Sequence, residues 1–181
     1  MKKIVASLFC LLALQVVPVQ QSEAIVYKVF DNYEPTGYMG DVDDVIILPK
    51  YKDATRPNSQ PVKIAYIPGV KGWAGVYWQY PAGNWCKQKG KNLSTIKPTK
   101  LSFWVKGHSG GEIVNFKIGQ DCGDSYVSPK ITKTLTKNWE KVMVNLINAD
   151  LSNMSGAFSW SIDTAENVGP VIFYLDEVQF E

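Results

Sequence analysis

Apolar and polar residues alternate one by one through most of this chain, in short runs closed by Gly, Pro, Asn or Asp. The runs are IVYKVF, DVIIL, VKIAYI, GVYWQY, KLSFWVK, EIVNFKI, KVMVNL, AFSWSI and VIFYLDEVQF. Their density of Val, Ile, Phe, Tyr and Trp predicts about nine strands. A side-chain period of two turns one face of each strand toward a core and the other toward water. No segment holds a helical repeat beyond one turn, Leu93-Ser94-Thr95 and the stretch from Asp150 to Ser152 being the two short candidates. With no helices to flank a parallel sheet, the expected architecture is all-β, an antiparallel two-sheet β-sandwich of jelly-roll type. The Pro-, Gly- and Lys-rich stretches YKDATRPNSQPV and CKQKGKNLSTIKPTK read as long surface loops.

The first residues have a separate purpose. Lys2 and Lys3 precede the apolar run IVASLFCLLALQVVPV, and Ser22-Glu23-Ala24 offers small residues for signal peptidase. Residues 1–24 are therefore expected to be a secretory signal cleaved near Ala24, leaving 25–181 as one domain in the periplasm or outside the cell. The run is too short for a stable membrane anchor, and no membrane insertion is expected. Taking Lys2, Lys3 and Glu23 from 19 basic and 17 acidic residues leaves 17 against 16, with the signs mixed along the chain. That balance gives no reason to expect a nucleic acid or anionic lipid partner. Cys86 and Cys122 survive processing, and an even count in an exported chain favours a disulfide between them over two free thiols.

Enzyme signatures are sparse. His108, in KGHSGGE, is the only histidine and has no nucleophile-elbow sequence. Asp41 with Asp43 lies in a turn-like segment, and Asp176 with Glu177 should point to opposite faces of a strand, so neither resembles a glycosidase carboxylate pair. The enzyme alternative is a polysaccharide lyase or glycoside hydrolase using Glu112 or Asp124 with His108.

The stretch GWAGVYWQYPAGNWC carries three tryptophans and two tyrosines between Gly72 and Cys86. On an extended strand, Trp73, Gly75 and Tyr77 share one face, while Ala74, Val76, Trp78 and Tyr80 share the other. The smaller aliphatic residues suit a core, so Trp73 and Tyr77 are expected to look outward across a trough at Gly75. A single bulge would invert this and expose Trp78 and Tyr80 instead. A sugar ring stacks its CH face on an aromatic while its hydroxyls bond nearby amides, here Gln79 and Asn84. Trp85 either joins that platform or covers the disulfide. Trp104, Trp139 and Trp160 read as core or core edge.

Acidic residues cluster near both ends: Asp31, Glu34 and Asp41, then Asp176. If the first and last strands pair, Glu34 and Asp176 approach, and a structural Ca²⁺ between them would relieve their repulsion; exposed charges at strand ends are the other reading.

VIFYLDEVQFE resembles the terminal (F/Y)YLDD(I/V) strand of galactose-binding-like β-jelly-roll domains, especially carbohydrate-binding modules of bacterial glycoside hydrolases. YKVFDNYEP is similar to their first strand, and LSFWVKGHSGGEIVNFKIG to a strand pair that follows. The resemblance implies Glu34 and Asp176 as calcium ligands and a glycan-binding sheet face lined with aromatics. Glu177 stands where the family usually has a second Asp. The function expected is a secreted, monomeric, non-catalytic protein binding polysaccharide or oligosaccharide through Trp73, Tyr77, Trp78, Gln79, Asn84 and Trp85. An envelope adhesion or structural protein, with the aromatic strip binding another protein, is the further alternative.

Overall fold

The structure, a computed structural model, describes residues 25–181; the expected signal segment and its cleavage point lie outside the described residues. Among the described residues, eleven strands form two antiparallel sheets: β1 (Tyr27–Lys28), β2 (Glu34–Gly40), β3 (Val45–Leu48), β4 (Val62–Tyr66), β5 (Trp73–Gln79), β6 (Lys100–Gly107), β7 (Ile113–Lys117), β8 (Ile131–Thr134), β9 (Glu140–Asn145), β10 (Gly156–Asp163) and β11 (Val171–Phe180). Sheet A runs β3-β4-β11-β6-β9, with β1 added to β11; sheet B runs β2-β5-β10-β7-β8. The all-β sandwich expected from the alternation is the fold observed.

The alternation sorts residues as period two requires. Ile64 and Tyr66 of β4, Leu101, Phe103 and Val105 of β6, and Phe173 and Leu175 of β11 are buried on the inner face of sheet A. Ala74, Val76 and Trp78 of β5, Val114 and Phe116 of β7, and Phe158, Trp160 and Ile162 of β10 meet them from sheet B. Phe103 links the two layers, with ring centroids 4.9 Å from Phe116 and 5.1 Å from Phe158. Rings at such separations add edge and offset attractions to the area that they bury.

Two strands went unread in the sequence. EPTGYMG, now β2, lacks alternation and contains Pro35, which is tolerated because β2 is an edge strand with a bulge between Pro35 and Gly37. Gly37 is required there, since a Cβ would stand 2.6 Å from that of Tyr77. ITKT, now β8, is four residues long and closes the other edge of sheet B. IVYKVF was read as a full strand, yet only Tyr27 and Lys28 pair, opposite Phe180 and Gln179. First and last strands do pair, as expected. Of the two candidate single turns, one forms a 3-10 turn at Ser94–Ile96.

Loop 49–61 crosses the outer face of sheet A. Asp53 bonds the Lys106 ammonium at 2.5 Å and accepts from Trp139 Nε1 at 3.2 Å, while Arg56 reaches Asp176. Trp104 and Trp139 are half-buried beneath this strap, whereas Trp160 belongs to the core.

Candidate functional site

β5 lies in sheet B between β2 and β10, and its register builds a continuous outer face. Tyr77 is opposite Gly37 on one side and Ser159 on the other; Gly75 is opposite Met39 and Ser161; Trp73 is opposite Asp163. The next strand continues the rows, Ser159 facing Lys117 and Ser161 facing Asn115, and Asn115 in turn faces Thr132 of β8. An aromatic strand therefore lies beside a strip of hydroxyls, an amide and an ammonium.

Trp73 is 37% exposed at the start of this face. Its entry is fixed from below by Asp41, whose carboxylate accepts from Lys71 N at 2.7 Å, Tyr66 Oη at 2.8 Å, Gly72 N at 3.0 Å and Gly69 N at 3.1 Å. Burial opposes ionisation of Asp41, but these donors outweigh it and hold its pKa below the ordinary value. Asp41 N donates to Trp73 O at 2.8 Å, tying the carboxylate's loop to the tryptophan. With both carboxylate oxygens engaged, Asp41 holds the loop together, in keeping with the turn-like segment in which the sequence puts it.

Tyr77 is on the outer face but only 8% exposed. Burial raises the pKa of its phenol, with Lys117 and the nearby Ser159 hydroxyl acting in the opposite direction. Its ring lines a hollow of about 160 Å³ together with Met39, Asn115, Lys117, Lys130 and Ser159. The trough expected at Gly75 is partly filled, because the Met39 methyl would lie 3.0 Å from a Cβ placed there.

Trp85 is 40% exposed and stands edge-on to Tyr77, centroids 6.2 Å apart and planes at 83°. The following residue, Cys86, is bonded to Cys122, so the expected disulfide is present. The tryptophan thus adjoins both the platform and the bridge. Trp73 and Tyr77 share the outer face of β5, and Trp85 adjoins Tyr77.

Three expected platform residues are elsewhere. Trp78 is a correction: it is buried on the inner face, 5.1 Å from Phe30 and 6.0 Å from Phe158, because the alternation that turns Tyr77 outward turns Trp78 inward. Gln79 and Asn84 are also buried. Gln79 Nε2 donates to Asn84 O at 3.1 Å and Gln120 Oε1 at 3.0 Å, and its Oε1 accepts from Thr36 Oγ1 at 3.1 Å. Asn84 Nδ2 donates to Tyr80 O at 3.0 Å and Gln88 O at 2.9 Å. Their amides are spent inside the loop that carries Trp85, so they position the ring instead of meeting a ligand.

The calcium expectation on Glu34 and Asp176 does not fit the structure. Glu34 belongs to sheet B opposite Gln79, and Asp176 to sheet A opposite Trp104. Asp176 Oδ2 accepts from Arg56 Nε at 2.7 Å and Oδ1 from Glu177 N at 3.0 Å. Among the described residues, no group of three or more His, Cys, Asp or Glu side chains is arranged to hold a metal. Asp176 and Glu177 also depart from simple alternation. Glu177 has φ 47°, β11 breaks register with β6 after Asp176, and both carboxylates reach Arg56.

The candidate enzyme residues fall in two loops, His108 and Glu112 between β6 and β7 and Asp124 between β7 and β8. Asp124 accepts from Ser155 N at 2.6 Å and from Gln120 N and Gly156 N, each at 2.8 Å, and so organises the Cys122 loop. His108 stands at the end of β6, Nδ1 3.0 Å from Tyr174 Oη. Glu112 Oε1 accepts from Ser109 N at 2.6 Å in the same turn, and its Oε2 is buried with no hydrogen-bond partner.

Sequence reasoning missed Ser159, Ser161, Asn115, Lys117 and Thr132. The signal was present in FSWSI and VNFK, where small or polar residues alternate with large apolar ones.

No protein-family model matches the sequence, and no curated protein matches it significantly. Comparison of structures shows that the chain shares its jelly-roll β-sandwich fold with several carbohydrate-binding modules. The family 30 carbohydrate-binding module of a cellulosomal cellulase of Clostridium thermocellum aligns with 87% of this chain and 97% of its own, at a TM-score of 0.56 and 13% identity. The family 11 module from the same organism, in complex with a β-1,3-1,4-mixed-linked tetrasaccharide, aligns over 86% and 93% at 0.52 and 16%. An exo-β-agarase matches 86% of this chain over 25% of its own length, at 0.57 and 10%.

Proposed function

We propose that this chain is a secreted, non-catalytic carbohydrate-binding protein whose binding face is the outer surface of sheet B. The observation that carries the reading is one juxtaposition: Trp73, Tyr77 and Trp85 flank a strip formed by Ser159, Ser161, Asn115, Lys117 and Thr132. Rings supply apolar contact for the CH faces of a sugar, and the accessible members of the strip, Ser161, Lys117 and Thr132, supply donors and acceptors for its hydroxyls, while Ser159 and Asn115 are buried and Asn115 is bonded to Glu166 and Thr132. The structural neighbours support the reading, since two of those named above are carbohydrate-binding modules.

Because the Tyr77 and Trp85 planes are nearly perpendicular, the pair makes a corner and not a flat shelf. A corner receives a single glycan chain along its edge, whereas a crystalline polysaccharide surface asks for coplanar rings. Affinity electrophoresis in gels containing mixed-linkage β-glucan or agarose tests the proposal. Retardation of the wild type that Trp85→Ala abolishes supports it. Equal mobility of both in a glycan series, or release of reducing ends, overturns it, the latter in favour of a hydrolase.

A further inference from the structure

The edge of β11 has a gap. β4 covers it up to Leu175, opposite Val62, and β1 covers it again from Gln179, opposite Lys28. Asp176 and Glu177 fall between, at the bulge, beside a cavity of about 480 Å³ that Asp31, Lys50 and Gln60 also line. The positive φ of Glu177 turns two consecutive carboxylates toward one place, and like charges so held repel unless a cation stands between them.

Arg56 is that cation. Its Nε lies 2.7 Å from Asp176 Oδ2 and its Nη2 3.0 Å from Glu177 Oε2. The guanidinium carbon stands 4.6 Å from the centroid of Trp104 and 5.4 Å from that of Trp139, within cation–π range of both rings. The Arg56 side chain is 17% exposed and that of Asp176 only 5%. It is also the only arginine in the chain. Lysine is not equivalent here, because a point charge can neither bridge two carboxylates with fixed geometry nor stack between two rings.

We propose that Arg56 does at this bulge what a divalent metal would do: it neutralises Asp176 and Glu177 and pins loop 49–61 to sheet A, so that the closing strand is held without calcium. Calcium needs six to eight oxygen ligands. One Asp176 oxygen is committed to Arg56 and the other to the Glu177 amide, so the bulge offers a metal little.

The test is thermal unfolding of the purified protein after dialysis against EDTA, with and without millimolar calcium chloride, alongside elemental analysis for calcium. The wild type should carry no stoichiometric calcium and melt at the same temperature in both buffers. Arg56→Met should melt about 5–10 °C lower in EDTA, because two carboxylates lose their partner. Arg56→Lys should fall between the two. Calcium at one equivalent per wild-type chain, or a wild-type Tm raised several degrees by calcium, overturns the proposal. So does a wild-type Tm in Arg56→Met, or in Arg56→Lys should the methionine variant fail to accumulate folded.

Discussion

Trp85 stands edge-on to Tyr77 at 6.2 Å, and the covalent bridge from Cys86 to Cys122 begins one residue later. The exposed ring is thus backed by a buried one and framed by a crosslink. Trp85→Ala should weaken glycan binding by about tenfold or more, as loss of an aromatic anchor does. Its Tm should change little because the ring is largely outside the core. Trp78→Ala is the control: emptying a buried tryptophan site should cost about 3–5 kcal/mol of stability. Calorimetric titration and thermal unfolding of both variants separate the two roles, and equal effects on both readouts would refute the division.

Reduction of Cys86–Cys122 should lower stability by about 3–4 kcal/mol on the chain-entropy estimate for a loop of this length. The residues are 36 apart in sequence. The same treatment should weaken binding, since Trp85 loses its frame. Chemical denaturation with and without reductant, followed by affinity electrophoresis, measures both effects.

Gln79 acts at a distance. Gln79→Leu keeps the volume but leaves Thr36, Gln120 and the Asn84 carbonyl short of a partner, which should cost about 1–3 kcal/mol. Affinity should fall because the Trp85 loop is less well held. A Trp85 fluorescence signal shifted toward that of solvent, relative to the wild type, distinguishes loosening from lost contact.

Lys117 lies along the hollow beside Tyr77, its ammonium shared with Asp121. Lys117→Met should reduce glycan affinity by about tenfold, the scale of a lost hydrogen bond to a charged group, with Tm within about 2 °C of wild type. Unchanged affinity would remove β7 from the binding face.

Acid should destabilise the sandwich in a defined window. Burial works against ionisation of Asp53, but Lys106 and the Thr55 hydroxyl and amide outweigh it and bring its pKa from 3.8 down to about 2. Glu181, likewise partly covered but bonded by Ser102, Gln179 and Lys100, falls from 4.5 to about 2. Both groups bind protons more weakly folded than unfolded. Their stabilisation is therefore complete above pH ~4.5 and is lost as pH falls toward ~2. Lys106→Met should flatten the Asp53 part of that slope in a series of urea melts.

Much of the fold was legible because alternation is local: nine apolar runs mark nine of the eleven strands, and Trp78 faces the core for the same reason that Tyr77 does not. The strands that escaped, β2 and β8, are edges, where pairing with one neighbour replaces intrinsic preference. The polar half of the site escaped because Ser159, Asn115 and Thr132 come from three strands and meet only through register.

Periodicity also fixed which rings share a face with Trp73, and cysteine count with context pointed to the bridge. Tertiary structure alone decided what those rings stand beside, and it withdrew Gln79 and Asn84 from the surface by giving every amide an internal partner. It also set Glu34 and Asp176 on different sheets and brought Arg56 to the closing strand. Sequence separation carries no information about such contacts. They arise when distant segments compete for the same buried donors and charges, and the arrangement that leaves the fewest unpaired prevails.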